Sequence, residues 1–330
     1  MPPVEGVQAI VGPRVVDGCL TMGKPRMMVT GGSGFLGGWL VRLACRDWDL
    51  TATYLSGAAG APGANWRRLD VRDRSPVVSL MEETSPHVVI HTAALNPGQG
   101  SAFNAVNGLG TQNVAEGAAL VGARLIHVST DVLFDGKKGD YREQDLPAPI
   151  TPYGRSKALA EHAVRRRGVW GVIVRTSLMY GPSAQAGAAS PHSVPWQEWD
   201  RQTRWVIADL QAGRPVHLFT DEIRCPIWVE SLACALVELA GRNLPEEPGC
   251  EILHIAGATA LSRYQFGVRL ALFHGINPAG ISPALSATSG LSRPLDCSLD
   301  SSRAEAILRT SLPGADNVLR RGPSSPASGG

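Results

Sequence analysis

The chain has 330 residues, of which 44% are hydrophobic and 18% charged, with a formal net charge of +2. That length allows one large or two modest domains with a well-buried core, and no apolar run is long enough to span a bilayer. The near-balanced charge excludes bulk binding of nucleic acid or acidic membrane as the main activity. Six cysteines, at 19, 45, 225, 234, 250 and 297, include no CxxC, and the eight histidines form no HExxH. Dispersed thiols of this kind predict a reducing, cytoplasmic setting and no metal site.

In chain order, residues 1–25 are interrupted by Glu5, Arg14 and Asp17, and so lack the apolar core of a signal peptide. They predict a flexible extension, with Met22 and Met27 as alternative starts. Strands are expected at RMMVTG (26–31), DLTATYL (49–55), HVVIHTAA (87–94), ARLIHVST (123–130) and GVIVRTS (171–177), with a weaker one at WRRLDV (66–71). Between them, FLGGWLVRLACR (35–46) and GTQNVAEGAALVG (110–122) carry apolar residues at helical spacing. A further helix opens near TPYGRSKALAE (151–161) and closes on Arg165, Arg166 and Arg167, where cations suit the dipole. Near-continuous apolar strands alternating with helices imply a parallel sheet covered on both faces. The expected fold is therefore α/β, a Rossmann-like doubly wound sheet with ligands at the carboxyl ends of its strands.

Residues 26–176 form the predicted nucleotide-binding domain. Residues 177–319 form mostly a smaller substrate-binding lobe, some segments of which return to the sheet. Gly, Ala, Ser and Pro dominate 181–195, and helices are expected near 196–212, 229–241 and 263–274, with a strand at 249–257. Trp196, Trp199 and Trp205 are expected in the lobe core. The end, 320–330, has the composition of a disordered tail.

Gly31, Gly34 and Gly37 space a turn between the first strand and first helix. Glycines there let backbone approach a pyrophosphate at a helix N-terminus, the chemistry of a dinucleotide site. An acid at the end of the second strand would bind a ribose 2′-hydroxyl, but Tyr54 stands there. Arg46, Arg67 and Arg68 are nearby partners for a 2′-phosphate, so NADP is expected rather than NAD. His91 and His127 sit within apolar runs and are expected to pack. Asn107 lies inside a helical stretch, and Thr130 ends the fifth predicted strand. Tyr153 and Lys157, four residues apart, share one helical face, which is equally true of an ordinary surface pair.

TGGSGFLG, LDVRD (69–73), HTAA (91–94), VNGLGT (106–111), VSTDVLFDG (128–136), YGRSK (153–157) and VRTSLMYG (174–181) together resemble the extended short-chain dehydrogenase/reductases over about 26–310. The runs VSTDVLFDGKKGDYREQDLPAPITPYGRSKALAE and SRPLDCSLDSSRAEAIL are similar to one branch in particular. That branch holds the dTDP-4-dehydrorhamnose reductases and the regulatory β subunit of methionine adenosyltransferase. The resemblance implies NADPH held by Gly31, Ser33, Gly34, Phe35, Leu36, Gly37, Tyr54, Thr92, Ala93 and Ala94, with Asp70 and Val71 flanking the adenine. It implies Tyr153 as proton donor to a carbonyl and Lys157 as partner of the nicotinamide ribose, lowering the tyrosine pKa. Thr130 would polarise the carbonyl and Asn107 would support a water-linked proton path. Thr130, Asp131, Val132, Arg224 and Arg293 would face a nucleotide-linked sugar, with Arg263 a lesser candidate.

Val132 stands where related dehydratases carry a glutamate, which argues against dehydration. The reductases usually place a tyrosine at that position and a tryptophan at the position of Leu178, so the sugar is left open. A reductase of a nucleotide-linked 4-keto-6-deoxy sugar is the main expectation, as a homodimer without nucleic-acid or membrane partners. A non-catalytic NADP-binding regulatory subunit, and a reductase or epimerase for another carbonyl, stand beside it.

Overall fold

The apolar runs become strands because each buries both faces, and Asn65–Arg68, with the sequence NWRR, joins them only as the partly exposed edge strand beside Asp49–Tyr54. In the computed structural model, which describes residues 23–56, 62–186, 193–242 and 249–320, the first six are Arg26–Thr30 (β1), Asp49–Tyr54 (β2), Asn65–Arg68 (β3), Val88–His91 (β4), Arg124–Thr130 (β5) and Gly171–Thr176 (β6). Short strands follow at Met179–Tyr180 (β7), Val216–Phe219 (β8), Ile223–Arg224 (β9) and Ile227–Trp228 (β10). Cys250–His254 (β11) then returns to β6, and Leu261–Ser262 (β12) and Ile281–Ala284 (β13) complete the set. The main sheet is parallel, in the order β11-β6-β5-β4-β1-β2-β3. Its direction of winding reverses at β1, which puts the switch point between the ends of β1 and β4.

Period-two alternation divides the core between two faces. Met27, Val29, Ile90, Ile126 and Val174 pack with helices Phe35–Ala44 (α1) and Val229–Gly241, the sixth helix of the chain. Met28, Val89, Leu125 and Ile173 face Arg74–Thr84 (α2), Thr111–Leu120 (α3) and Pro152–Arg166 (α4). The doubly wound expectation is met. The remaining helices are Arg201–Gln211 (α5), α6 as already given, Arg263–Phe273 (α7), Ser302–Ile307 (α8) and Ala315–Val318 (α9). Among the described residues, no helix is long and apolar enough to cross a membrane.

Several boundaries differ from the sequence expectation, each for a local reason. β1 stops at Thr30 because Gly31 takes a positive φ of 71°. β4 stops at His91 because the Thr92 hydroxyl and N–H both turn back to the Thr30 carbonyl, at 2.7 and 3.2 Å. The helix expected over 196–212 divides, since the Asp200 carboxylate caps α5 by accepting from Gln202 and Thr203 N–H at 2.9 and 3.0 Å. Trp199 is core, but Trp205 is 46% exposed. α2, with Pro76 in its first turn and three buried residues, showed too little apolar periodicity to be predicted. The expected N-terminal extension and C-terminal tail lie, but for Gly23, Lys24, Pro25 and Arg320, outside the described residues.

Beyond β6 the chain builds small two-stranded pairings, β7 with β10, β8 with β13 and β9 with β12. α5 and α7 cover β8 and β13 through Val206, Ile207, Leu218, Ala271 and Ile281. A reciprocal capping box between Ser262 and Gln265 fixes the start of α7. This assembly stands over the carboxyl edge of the main sheet, tied there by the Arg224–Asp131 ion pair.

Candidate active site

The turn after β1 is built for close approach. A Cβ at Gly31 would lie 2.7 Å from the Ala93 backbone nitrogen, and one at Gly37 only 2.1 Å from the Gly31 carbonyl oxygen. α1 begins at Gly34 without a side-chain cap, so its first-turn N–H groups carry no side-chain acceptor. Ser33 and Gly34 are exposed at this point, Phe35 is half-buried, and Leu36 is buried in the core. The arrangement fits an anion at the helix N-terminus, as a dinucleotide pyrophosphate would supply.

Beside it, Tyr54 ends β2 directly across from Arg68 on β3. The Arg68 Nε donates to the Leu55 carbonyl at 3.3 Å, holding the exposed guanidinium at the ligand edge. Arg67 instead pairs with Glu83 at 2.6 Å, and Arg46 follows α1 near the start of β2, at the opposite edge. Of the three arginines considered, Arg68 alone is placed for a 2′-phosphate. Asp70 forms an ion pair with Arg72 at 2.5 Å, and the Arg72 side-chain hydrogen bond holds its carboxyl below the usual range. The Val71 carbonyl accepts from Asn113 Nδ2 at 2.9 Å, fixing that loop against α3.

Thr130 reaches the edge at the end of β5, and Tyr153 arrives opposite it in the first turn of α4. Thr151 caps that helix, its hydroxyl accepting from Gly154 N–H at 3.0 Å. Gly154 is required by contact, since a Cβ there would sit 2.3 Å from the Val132 carbonyl oxygen. The helix can therefore press onto the turn that follows β5, which brings the Tyr153 phenol near the Thr130 hydroxyl, itself donating to Asp131 Oδ1 at 3.2 Å. The phenol also donates to Asn96 Oδ1 at 3.4 Å, and Phe103 meets its ring edge-on. Burial holds the phenol above its ordinary pKa, the Asp131 charge adds to this, and the nearby Thr130 hydroxyl opposes both. This is the reverse of the direction expected from Lys157, whose ammonium is turned to the Val128 carbonyl, so that burial and Asp131 set the direction.

Lys157 is buried and its Nζ donates to the Val128 carbonyl at 2.7 Å. Burial lowers its pKa to about 8, against a smaller opposing pull from Glu161. The cation lies near His91 and His127, whose buried rings stack at 5.3 Å. His91 bonds to Thr30 and Thr111 at 2.6 and 3.0 Å and is a packed strand residue, as expected. A lysine whose folded pKa is depressed costs stability while it is charged in both states. That cost is relieved as pH rises from about 8 towards the unfolded value of about 10.4. Lys157→Met is therefore expected to lose this rise: by denaturant unfolding without cofactor, the wild type should gain on the variant between pH 7 and pH 9.5.

Asn107 lies in a π-helical turn, Asn104–Gly110, running into α3. Its amide accepts from Leu95 N–H at 2.8 Å and donates to the Leu95 carbonyl at 3.0 Å and to Ser156 Oγ at 2.9 Å. It thus clamps the loop after β4 to α4, next to Tyr153. Asp131 is buried, accepts from Ser177 Oγ at 2.6 Å, and faces Arg224 Nε at 3.7 Å. Burial raises its pKa, while Arg224, Ser177 and Thr130 pull it down. Ser177, Asn96 and Glu222 were missed in the sequence. Ser177 belongs to the run VRTSLMYG and follows β6 directly, a position at the carboxyl edge of the sheet that is itself a signal. Val132 is half-buried beside this edge. Arg293 pairs with Glu222 and lies 5.1 Å over the Phe219 ring.

The model of the RmlD substrate binding domain matches residues 25–321, nearly the whole of this arrangement. The chain belongs to the RmlD substrate binding domain family. A probable low-salt glycan biosynthesis reductase, Agl14 of Haloferax volcanii, is 30% identical over 299 residues, covering 88% of this chain and 95% of that protein. Methionine adenosyltransferase 2 subunit beta of Xenopus laevis is 25% identical over 301 residues, covering 89% and 85%. Among solved structures, a hypothetical dTDP-4-dehydrorhamnose reductase of Sulfolobus tokodaii superposes with a TM-score of 0.71 at 27% identity, covering 87% of this chain and 96% of that one. The dTDP-4-dehydrorhamnose reductase of Bacillus anthracis, solved with NADP, has a TM-score of 0.73 at 24% identity, covering 90% and 97%, and shows the shared fold. The RmlD-family chain thus carries the expected resemblance along its described length.

Proposed function

We propose that this RmlD-family chain is an NADP(H)-dependent reductase of a nucleotide-linked 4-keto-6-deoxy sugar. The observation that carries the reading is the packing of the first turn of α4, with Tyr153, against the turn after β5, with Thr130, one helical turn from the buried Lys157 and on the edge that bears the glycine turn. Gly31, Ser33, Gly34, Phe35, Leu36 and Gly37 would hold the pyrophosphate, and Thr92, Ala93 and Ala94 would line the floor. Asp70 and Val71 would flank the adenine. When bound, NADPH supplies the hydride, and the protein supplies orientation and electrostatics. Thr130 then hydrogen-bonds to the substrate carbonyl, and Tyr153 donates its hydroxyl proton to the same oxygen. Lys157 would hold the nicotinamide ribose, and its ammonium would offset the charge left on the phenolate. Asn107 keeps the Leu95 loop in register with Tyr153. Asp131, Val132, Arg224 and Arg293 border the sugar, and Val132 offers no group that could shuttle a dehydration proton.

A reducing, cytoplasmic setting belongs to this reading, and the five described cysteines are free thiols. The cofactor is tested by direct titration. NADPH is expected to bind more tightly than NADH, and Tyr54→Asp should move the preference towards NADH. A clear NADH preference in the wild type overturns the assignment of Arg68 to a 2′-phosphate. The substrate is tested by NADPH oxidation with a panel of ketosugar nucleotides. Binding of NADPH without reduction of any of them would favour the regulatory role.

A further inference from the structure

A nucleotide-linked sugar brings a diphosphate, whose charge must be met by the elements standing over the sheet edge. Arg224 has little hydrogen-bonding capacity to spare for it. Its Nη1 donates to the carbonyls of Ile223 and Leu295 at 2.6 and 2.7 Å, and its Nη2 to that of Pro294 at 2.9 Å. It serves as a fixed buried charge beside Asp131.

Arg263 is placed differently. It opens α7, and its backbone N–H donates to the Glu222 carbonyl at 2.9 Å, so the start of the helix is pinned. Among the described residues its guanidinium makes one hydrogen bond, to Gln202 Oε1. The other end of that carboxamide, Gln202 Nε2, is buried without a partner. A buried amide donor left unpaired is costly, so its presence points to an acceptor that arrives from outside. Arg224, Arg263 and Arg293 lie close enough to Glu222 and Asp131 for all five charges to act together. Three cations against two carboxylates leave one positive charge over, beside an unused N–H donor. An anionic oxygen answers both.

The position also fits. A Cβ at Gly98, in the loop after β4, would lie 3.0 Å from the Nη1 of Arg201, the residue before Gln202. The same loop carries Asn96, which receives the Tyr153 hydroxyl. The start of α5 therefore borders the reacting edge and the arginine cluster together.

We propose that Arg263 and Gln202 form a further phosphate-recognition point of the substrate site, with Glu222 as the counter-ion that holds Arg263 and Arg293 ready. This rests on the reading of the chain as a nucleotide-sugar reductase. Guanidinium forks suit phosphate oxygens, whereas a lysine at 263 keeps the charge and loses the fork.

The test is calorimetric titration of NADPH-saturated protein with dTDP, UDP, GDP, CDP and ADP, for wild type, Arg263→Gln, Arg263→Lys, Gln202→Leu and Arg269→Gln. The Arg269 guanidinium returns to the Gln265 carbonyl of its own helix, which makes it the control. The wild type should bind at least one of these nucleotides. Arg263→Gln should weaken that binding by roughly tenfold or more, the loss of a charge-assisted hydrogen bond. Arg263→Lys should fall between, Gln202→Leu should lose several-fold, and Arg269→Gln should match the wild type, with NADPH affinity constant throughout. If Arg263→Gln does not fold, Arg263→Lys and Gln202→Leu decide. Wild-type binding in the Arg263 and Gln202 variants overturns the inference and leaves the proposed function standing. Failure of the wild type to bind any nucleoside diphosphate overturns both.

Discussion

Tyr153→Phe should bind NADPH like the wild type while turnover falls at least about a hundredfold, the typical loss for a general acid. The substitution removes only the hydroxyl, so the ring keeps its edge-on contact with Phe103 and the helix keeps its Thr151 cap. What is lost is the proposed proton donor, the hydroxyl that Asn96 Oδ1 accepts from. Thr130→Val should lower turnover with little change in cofactor affinity, because the proposed mechanism gives its hydroxyl to the substrate carbonyl and not to the cofactor. NADPH titration and NADPH oxidation on the same samples separate the two effects. Should Tyr153→Phe oxidise NADPH at the wild-type rate with an accepted ketosugar, Tyr153 is not the acid.

Gly37→Ala should cost about a hundredfold in NADPH affinity, roughly 3 kcal/mol by the cost of overpacking. Its new methyl would fall 2.1 Å from the Gly31 carbonyl oxygen and 2.8 Å from the Gly32 Cα, and neither backbone atom can turn aside as a side chain would. α1 has to move off the turn, taking its first N–H groups away from the pyrophosphate. Gly38→Ala is the matched control, since its methyl would meet Ala184 Cβ at 3.4 Å, within ordinary contact. Equal NADPH binding by wild type and Gly37→Ala would mean that this turn does not carry the cofactor.

Much of the architecture was legible because its signals are local. A buried strand has to be apolar on both faces, so RMMVT, VVIH, RLIHVST and GVIVRT announce themselves as members of a covered parallel sheet. The glycine turn is legible for a related reason: only residues without Cβ allow Gly31 to approach Ala93 and Gly37 to approach Gly31. The Tyr153–Lys157 spacing placed both on one helical face, but that holds for any pair four apart. Their chemistry was suggested by the company of the other motifs, not by the spacing.

The remainder depends on partners remote in sequence. The sequence alone determined the strand–helix alternation, the dinucleotide turn, the missing acid at Tyr54 and the set of hydroxyl, amide and cationic side chains at the strand ends. Only the tertiary structure decided which of them meet. Arg46, Arg67 and Arg68 are equivalent on paper, yet α1 carries the first to the far edge, Glu83 takes the second, and only the third remains beside Tyr54. Arg224 looked free and is bound by three carbonyls, while Arg263 and Gln202, 61 residues apart, are joined only because α5 and α7 pack together. Lys157 looked as if it would acidify Tyr153, but the phenol's burial and the Asp131 charge raise its pKa instead. Sequence records which groups exist and how each segment must bend. Ionisation and recognition are set by desolvation and by charges a few ångströms away, and those distances arise only when the chain has closed on itself.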